Sequence, residues 1–137
     1  MRNSERDDHF EAGNTERVTK FGAFLRKYKL DELPQFFNVI KGDLSIVGPR
    51  PETEYWVNAT TPHWNEILKL RPGITDNASI LFSNEESQLQ EASDPISYYK
   101  RVILPKKIMI YKEYVDKNTF WGDILIILKT LKKIIIK

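Results

Sequence analysis

Apolar residues recur along this chain in short helical periods, broken by proline, glycine and acidic residues, and rarely in strict alternation. Residues 1–16 show no period and read as a polar leader. Val18 to Tyr28 offers one or two helical turns, with Phe21, Phe24 and Leu25 on one side. Leu30, Leu33, Phe37 and Ile40 keep helical spacing and predict a helix that begins near Asp31 and faces a core. Pro34 fits the first turn of such a helix, where its missing N–H would have had no partner. Gly42-Asp43 makes a turn, and Leu44 to Val47 a short strand ending at Gly48.

Thr61-Pro62 reads as an N-cap and first helical residue, followed by apolar Trp64, Ile67 and Leu68 and stopped by Arg71-Pro72-Gly73. Asp94-Pro95 opens another helix carrying Ile96, Tyr99, Val102 and Ile103, which Pro105 restarts or kinks. Thr119 caps a final helix from Phe120 to Ile136. The sum is a mainly α protein with minor β. Without a repeat or a low-complexity linker, one domain over residues 17–137 is the economical organisation.

Composition removes several classes of function. The chain has 137 residues, 41% of them hydrophobic, which suits one domain with a modest core. A net charge of +2, from 21 basic and 19 acidic residues, gives no footprint for nucleic acid. No cysteine is present, so disulfides, thiolate nucleophiles and zinc-thiolate sites are excluded. His9 and His63 are the only histidines, and neither has a second ligand nearby in sequence. The most apolar stretch, Ile124 to Ile136, is interrupted by Lys129, Lys132 and Lys133 and is shorter than the ~20 residues that span a bilayer. The residues after Met1 are polar, unlike a signal peptide.

The last helix is unusual, because Ile124 to Leu128 cover every helical face. It is expected either to pack against the rest of the domain or to lie on an anionic membrane surface.

The candidate chemistry is concentrated between Lys29 and Pro51. Asp31 and Glu32 adjoin a helix start. In any helix they would serve as an N-cap and a favourable first-turn charge. The same place suits an aspartate nucleophile beside phosphate, with Glu32 as a hard oxygen ligand for Mg²⁺. Arg50 stands between Pro49 and Pro51. The two prolines restrict its backbone and pre-set a planar fork suited to bidentate phosphate contacts; a rigid surface turn is the plainer alternative. Arg26 and Arg71 are further phosphate-binding candidates, Arg71 being constrained by the Pro-Gly that follows it. Trp56, Trp64 and Trp121 read as core or interfacial residues, and Asp116 and Asp123 as caps or surface charge.

Taken together, the segments Arg17 to Pro51, Leu70 to Thr75 and Glu113 to Leu131 resemble the bacterial sugar transferases called monotopic phosphoglycosyl transferases. The first segment is the specific one, since many positions agree in order. The resemblance implies a compact helical catalytic domain at the cytoplasmic face of the bacterial inner membrane. It implies Mg²⁺-dependent transfer of a sugar phosphate from a nucleoside-diphosphate sugar, UDP-linked in many members, to polyprenyl phosphate. Asp31 and Glu32 match the catalytic Asp-Glu pair, with Asp31 the nucleophile and Glu32 the metal ligand. Arg26 and Arg50 match phosphate-contacting positions, and Arg71 a further arginine of the pattern.

Members of the family carry, ahead of this region, an apolar re-entrant segment and a basic motif that this sequence does not show, so the chain reads as an incomplete domain lacking that front part. The isolated chain is therefore expected to expose apolar surface and form homo-oligomers. Residues 76–94, beginning with Asp76-Asn77 where many members have Gly-Trp, read as the loop that differs with the sugar. A non-catalytic domain that binds nucleotide sugar or a partner protein at the membrane surface is the rival reading.

Overall fold

The computed structural model describes residues 19, 22, 24, 33–50 and 52–136. Among them the elements run α1 (Gln35–Lys41), β1 (Ser45–Val47), α2 (Glu54–Ala59), α3 (Thr61–Ile67), β2 (Gly73–Thr75), α4 (Asn77–Leu81) and α5 (Glu85–Glu91). A short helix α6 (Pro95–Tyr98) passes through a π-helical turn, Tyr99–Ile103, into α7 (Leu104–Lys117), and α8 (Phe120–Ile135) follows. The mainly α, minor β expectation holds. Most of the expected helix over Val18 to Tyr28 lies outside the described residues, as does the leader 1–16.

The two strands lie parallel, with Ser45 opposite Gly73 and Val47 opposite Thr75. Beyond Val47 the chain turns back across β2. The Gly48 N–H donates to the Thr75 carbonyl at 3.1 Å, and the Gly73 N–H donates to the Pro49 carbonyl at 3.3 Å. This crossing brings two backbones together where a β-carbon would not fit, so both positions need glycine. The second strand was not foreseen: Arg71-Pro72-Gly73 reads as a helix stop, and three residues are too few to show alternation.

Helix α1 starts at Gln35 rather than near Asp31, with Leu33 and Pro34 in a turn. Proline disfavours helical backbone in the residue before it, which keeps Leu33 out of the helix. Its other end closes in a Schellman motif: Gly42 adopts φ 85°, and the N–H groups of Gly42 and Asp43 donate to Val39 and Asn38. The expected core face is not buried. Leu33 is exposed, as are Phe37 (69%) and Ile40 (83%), because among the described residues α1 rests mainly on β1 and has no buried residue.

The core lies between α3, α4 and the π-turn with α7. Trp56, Trp64, Ile67, Ala78, Leu89, Tyr99, Ile103, Leu104, Ile108 and Tyr111 form one buried cluster. Tyr99, Ile103, Lys107 and Tyr111 follow each other every four residues. A straight α-helix would rotate that row by about 40° per step. The wider π-turn takes up part of the drift, and it also precedes Pro105, whose ring would otherwise meet the carbonyl four residues back.

The cap of α3 falls on Thr60, one residue ahead of the expected Thr61. The Thr60 hydroxyl donates to the Trp56 carbonyl at 2.7 Å and accepts from the Trp64 indole at 2.9 Å, which stitches α2 to α3. Leu68 is exposed, unlike Trp64 and Ile67. Residues 76–94 are not simply a loop: α4 and α5 occupy much of the segment, α4 being capped by Asp76, whose carboxylate accepts from the Ser79 N–H at 2.9 Å. Such short, polar helices leave little periodic signal.

Helix α8 begins at the expected Thr119 cap, whose hydroxyl accepts from the Gly122 N–H at 3.1 Å. It packs on both strands and α4 through buried Ile126 and half-buried Thr130. Thr130 donates to the Ile126 carbonyl at 2.9 Å, so the 2.7 Å contact with Thr75 is made by the Thr75 proton. Asp123, read as a cap or surface charge, instead accepts from the Tyr114 hydroxyl at 2.8 Å and ties α8 to α7. Burial and that bond to Asp123 push the Tyr114 phenol well above its ordinary range.

Candidate active site

Arg50 stands just beyond the chain crossing, after buried Pro49. The Gly48–Gly73 approach and the parallel strands fix where this turn points. Arg50 lines a cleft of about 280 Å³ whose other walls come from Glu52, Ser79, Phe82, Glu85, Lys107 and Tyr111. Three parts of the chain therefore meet here: the turn after β1, the α4–α5 segment and α7.

A tight ionic network forms one wall. Lys107 Nζ lies 3.0 Å from Glu52 Oε1 and 2.8 Å from Glu85 Oε2. The lysine and Glu52 side chains are only 12% and 14% exposed. The Tyr99 hydroxyl donates to Glu52 Oε2, and the Lys107 ammonium sits 5.2 Å from the Tyr99 ring centre. Burial first, then the Glu52 carboxylate, hold the Tyr99 phenol protonated far above its usual range. Tyr111 is raised in the same direction by burial and by the charge of Asp76, while Arg50 pulls the other way.

Sequence reasoning found Arg50 and missed its neighbours. Glu52, Ser79, Glu85, Lys107 and Tyr111 come together only through packing. One signal was available: Lys107 occupies an inward position in a row of otherwise buried residues, and a lysine there needs acidic partners.

Arg71 is placed apart from this cleft. It is exposed, and its guanidinium reaches the Gly42 turn, where a β-carbon on Gly42 would lie 3.5 Å from Nη1. Asp31, Glu32 and Arg26 lie outside the described residues. Among the described residues no three aspartate, glutamate or histidine side chains converge as a metal-binding group.

One more surface bears on function. Along α8, Leu125, Leu128 and Leu131 are exposed, with Trp121 (74%) and Ile135 (79%) at the two ends of the same stripe. It runs opposite the face that holds Ile126 and Thr130. Exposed Lys129 and Lys133 flank it on one side, and exposed Lys132 interrupts it near its C-terminal end. The packing expectation for α8 holds on one face, and the opposite face is apolar and exposed. No helix among the described residues is long and apolar enough to cross a membrane.

Comparison with known proteins identifies the family. The family described as bacterial sugar transferase matches residues 1–137. The chain is 34% identical over 127 residues to the galactosyl transferase CpsE of Streptococcus agalactiae, covering 93% of this chain and 25% of that protein. It is 34% identical over 132 residues to the undecaprenyl-phosphate galactose phosphotransferase of Salmonella typhimurium, covering 96% and 24%. It is 36% identical over 118 residues to the exopolysaccharide production protein ExoY of Rhizobium meliloti, covering 86% and 45%. The chain thus spans about a quarter of the length of the first two relatives.

Proposed function

Because the chain belongs to the bacterial sugar transferase family, we propose that it transfers a sugar phosphate from a UDP-sugar to polyprenyl phosphate at the cytoplasmic face of the bacterial inner membrane. The observation that carries this reading is Arg50: a proline-set arginine at the mouth of a polar cleft, in a family whose relatives include an undecaprenyl-phosphate galactose phosphotransferase.

The chemistry proceeds in two displacements. A carboxylate oxygen of Asp31 attacks the phosphorus that bears the sugar. The bond from that phosphorus to the bridging oxygen breaks, and UMP leaves. Polyprenyl phosphate then attacks the same phosphorus through one of its oxygens, frees the Asp31 carboxylate and carries away the sugar as a diphosphate. Arg50 holds the diphosphate oxygens through both steps with its planar fork. Arg26 joins Arg50 in contacting phosphate, and Arg71, which stands apart from the Arg50 cleft, takes the lesser part. Glu32 is assigned to Mg²⁺, a hard ion that takes oxygen ligands and offsets diphosphate charge. The uncovered stripe of α8, with its lysines, supports a seat at the membrane surface.

The test is intact-mass analysis of membrane-reconstituted protein with UDP-sugar and Mg²⁺. A mass increase of one phosphosugar is expected in the wild type and none in Asp31→Asn, together with loss of transfer to polyprenyl phosphate. An Asp31→Asn protein that still transfers sugar phosphate would remove the nucleophile assignment. Donor binding without adduct or transfer in the wild type would favour a non-catalytic nucleotide-sugar domain.

A further inference from the structure

The cleft beside Arg50 is graded in charge. At its mouth stands one arginine. Along its wall Glu52 and Glu85 face a single lysine, which leaves one net negative charge on that side. A phosphate is drawn to the first part and repelled by the second. A neutral polyol suits the second, because carboxylates accept readily from hydroxyl groups. At about 280 Å³ the space falls just below the ~300–1,000 Å³ of pockets that enclose drug-sized ligands. It is too small for a whole nucleotide sugar and of the right order for one monosaccharide ring.

Glu85 has capacity left for this task. Its Oε2 is engaged by Lys107, whereas Oε1 has no hydrogen-bond partner among the described residues. Ser79 donates its proton to Asp76 at 2.5 Å, which leaves its oxygen an acceptor toward the cleft. Phe82 offers an apolar wall for the C–H face of a ring. All three belong to the segment between Asp76 and Asp94. Glu52, by contrast, is bound on one oxygen by Tyr99 and on the other by Lys107 and acts as a fixed anchor.

We propose that this cleft is the sugar subsite of the donor, in which Glu85 and Ser79 read the sugar hydroxyls and so determine which UDP-sugar is used. The proposal rests on Arg50 as the diphosphate-binding residue. Glu85→Gln is the informative change. Its amide oxygen still accepts from Lys107, but the remaining group is then an NH₂ donor where a carboxylate oxygen accepted. Sites built to pair with hydroxyls discriminate strongly, because a mismatched polar group is left unpaired.

The experiment measures equilibrium binding of UDP and of UDP-glucose, UDP-galactose, UDP-N-acetylglucosamine and UDP-N-acetylgalactosamine to wild type, Glu85→Gln and Ser79→Ala. The wild type should bind one UDP-sugar at least ten-fold tighter than its 4-epimer. In Glu85→Gln that ratio should fall at least five-fold while UDP affinity changes less than two-fold. Ser79→Ala, which loses only a hydroxyl, should narrow the ratio in the same direction. Wild-type ratios in both variants would overturn the proposal. So would a proportional loss for UDP and every donor, which marks a purely structural cleft. Discrimination in binding without any transfer would leave the subsite standing and remove the transferase reading, so the two fail separately.

Discussion

Gly73 lies so close to Gly48 that a β-carbon built on it would stand 2.1 Å from the Gly48 amide nitrogen. A β-carbon on Gly48 would meet the Arg71 carbonyl oxygen at 2.6 Å. Both obstacles are backbone, so no side chain can swing aside. Gly73→Ala should cost at least about 3 kcal/mol, the upper end of what overpacking costs. Gly122→Ala is the control. Its β-carbon would meet only the Thr119 hydroxyl, at 3.0 Å, and a helical Gly→Ala change gains up to about 1 kcal/mol. Chemical denaturation should show a large loss for the first and a change within about 1 kcal/mol for the second.

Arg50→Lys tests the phosphate fork separately from charge. Arg50 is exposed, so the folded state should keep its melting temperature. Lysine retains the charge but not the planar pair of donors. Transfer should drop by about 1–3 kcal/mol in kcat/KM, from loss of a charge-assisted hydrogen bond. Wild-type kinetics would reduce the turn to a structural one.

Lys107→Met removes the cation that bridges Glu52 and Glu85. Two mostly buried carboxylates would then lose the ammonium that pairs with both of them. Breaking a buried pair in this way costs about 3–5 kcal/mol. Lys107→Arg should recover much of that loss, because a guanidinium can still bridge both acids. Denaturant midpoints of the two variants decide it; equal stability in Lys107→Met would mean that the acids have another source of charge balance.

Leu125→Gln combined with Leu128→Gln tests the uncovered stripe of α8. Both side chains are exposed, so folding should be retained. Binding to anionic vesicles should weaken, and self-association should lessen. In the unchanged protein vesicle binding should fall as salt rises, because Lys129, Lys132 and Lys133 supply the attraction. Flotation at two salt concentrations measures both effects.

Local chemistry made the helix limits legible where a side chain marked them. Thr119 and Asp94 cap as expected because a short polar side chain beside a proline or an apolar run has one obvious backbone partner. Pro105 announced a break, though not its form, since a π-turn depends on which inward residues must stay in line. The α1 face misled: Phe37 and Ile40 have core spacing, and spacing does not say what stands opposite. Within the site, Arg50 could be singled out from its two prolines. Glu85 and Lys107 could not be paired, because they are brought together by folds of the chain that no local pattern records.

The contact between Thr75 and Thr130 has a consequence for the order in which the fold is made. Strand β2 is sealed by a helix that follows it in sequence by more than a whole further layer of structure. During synthesis the Arg50 turn and its crossing therefore emerge well before the element that covers them. Until α8 docks, the two strands lack the helix that packs on both of them, and a two-stranded unit is marginal in water. A nascent chain stopped before Thr119 would present the Arg50 turn without the helix that covers both strands.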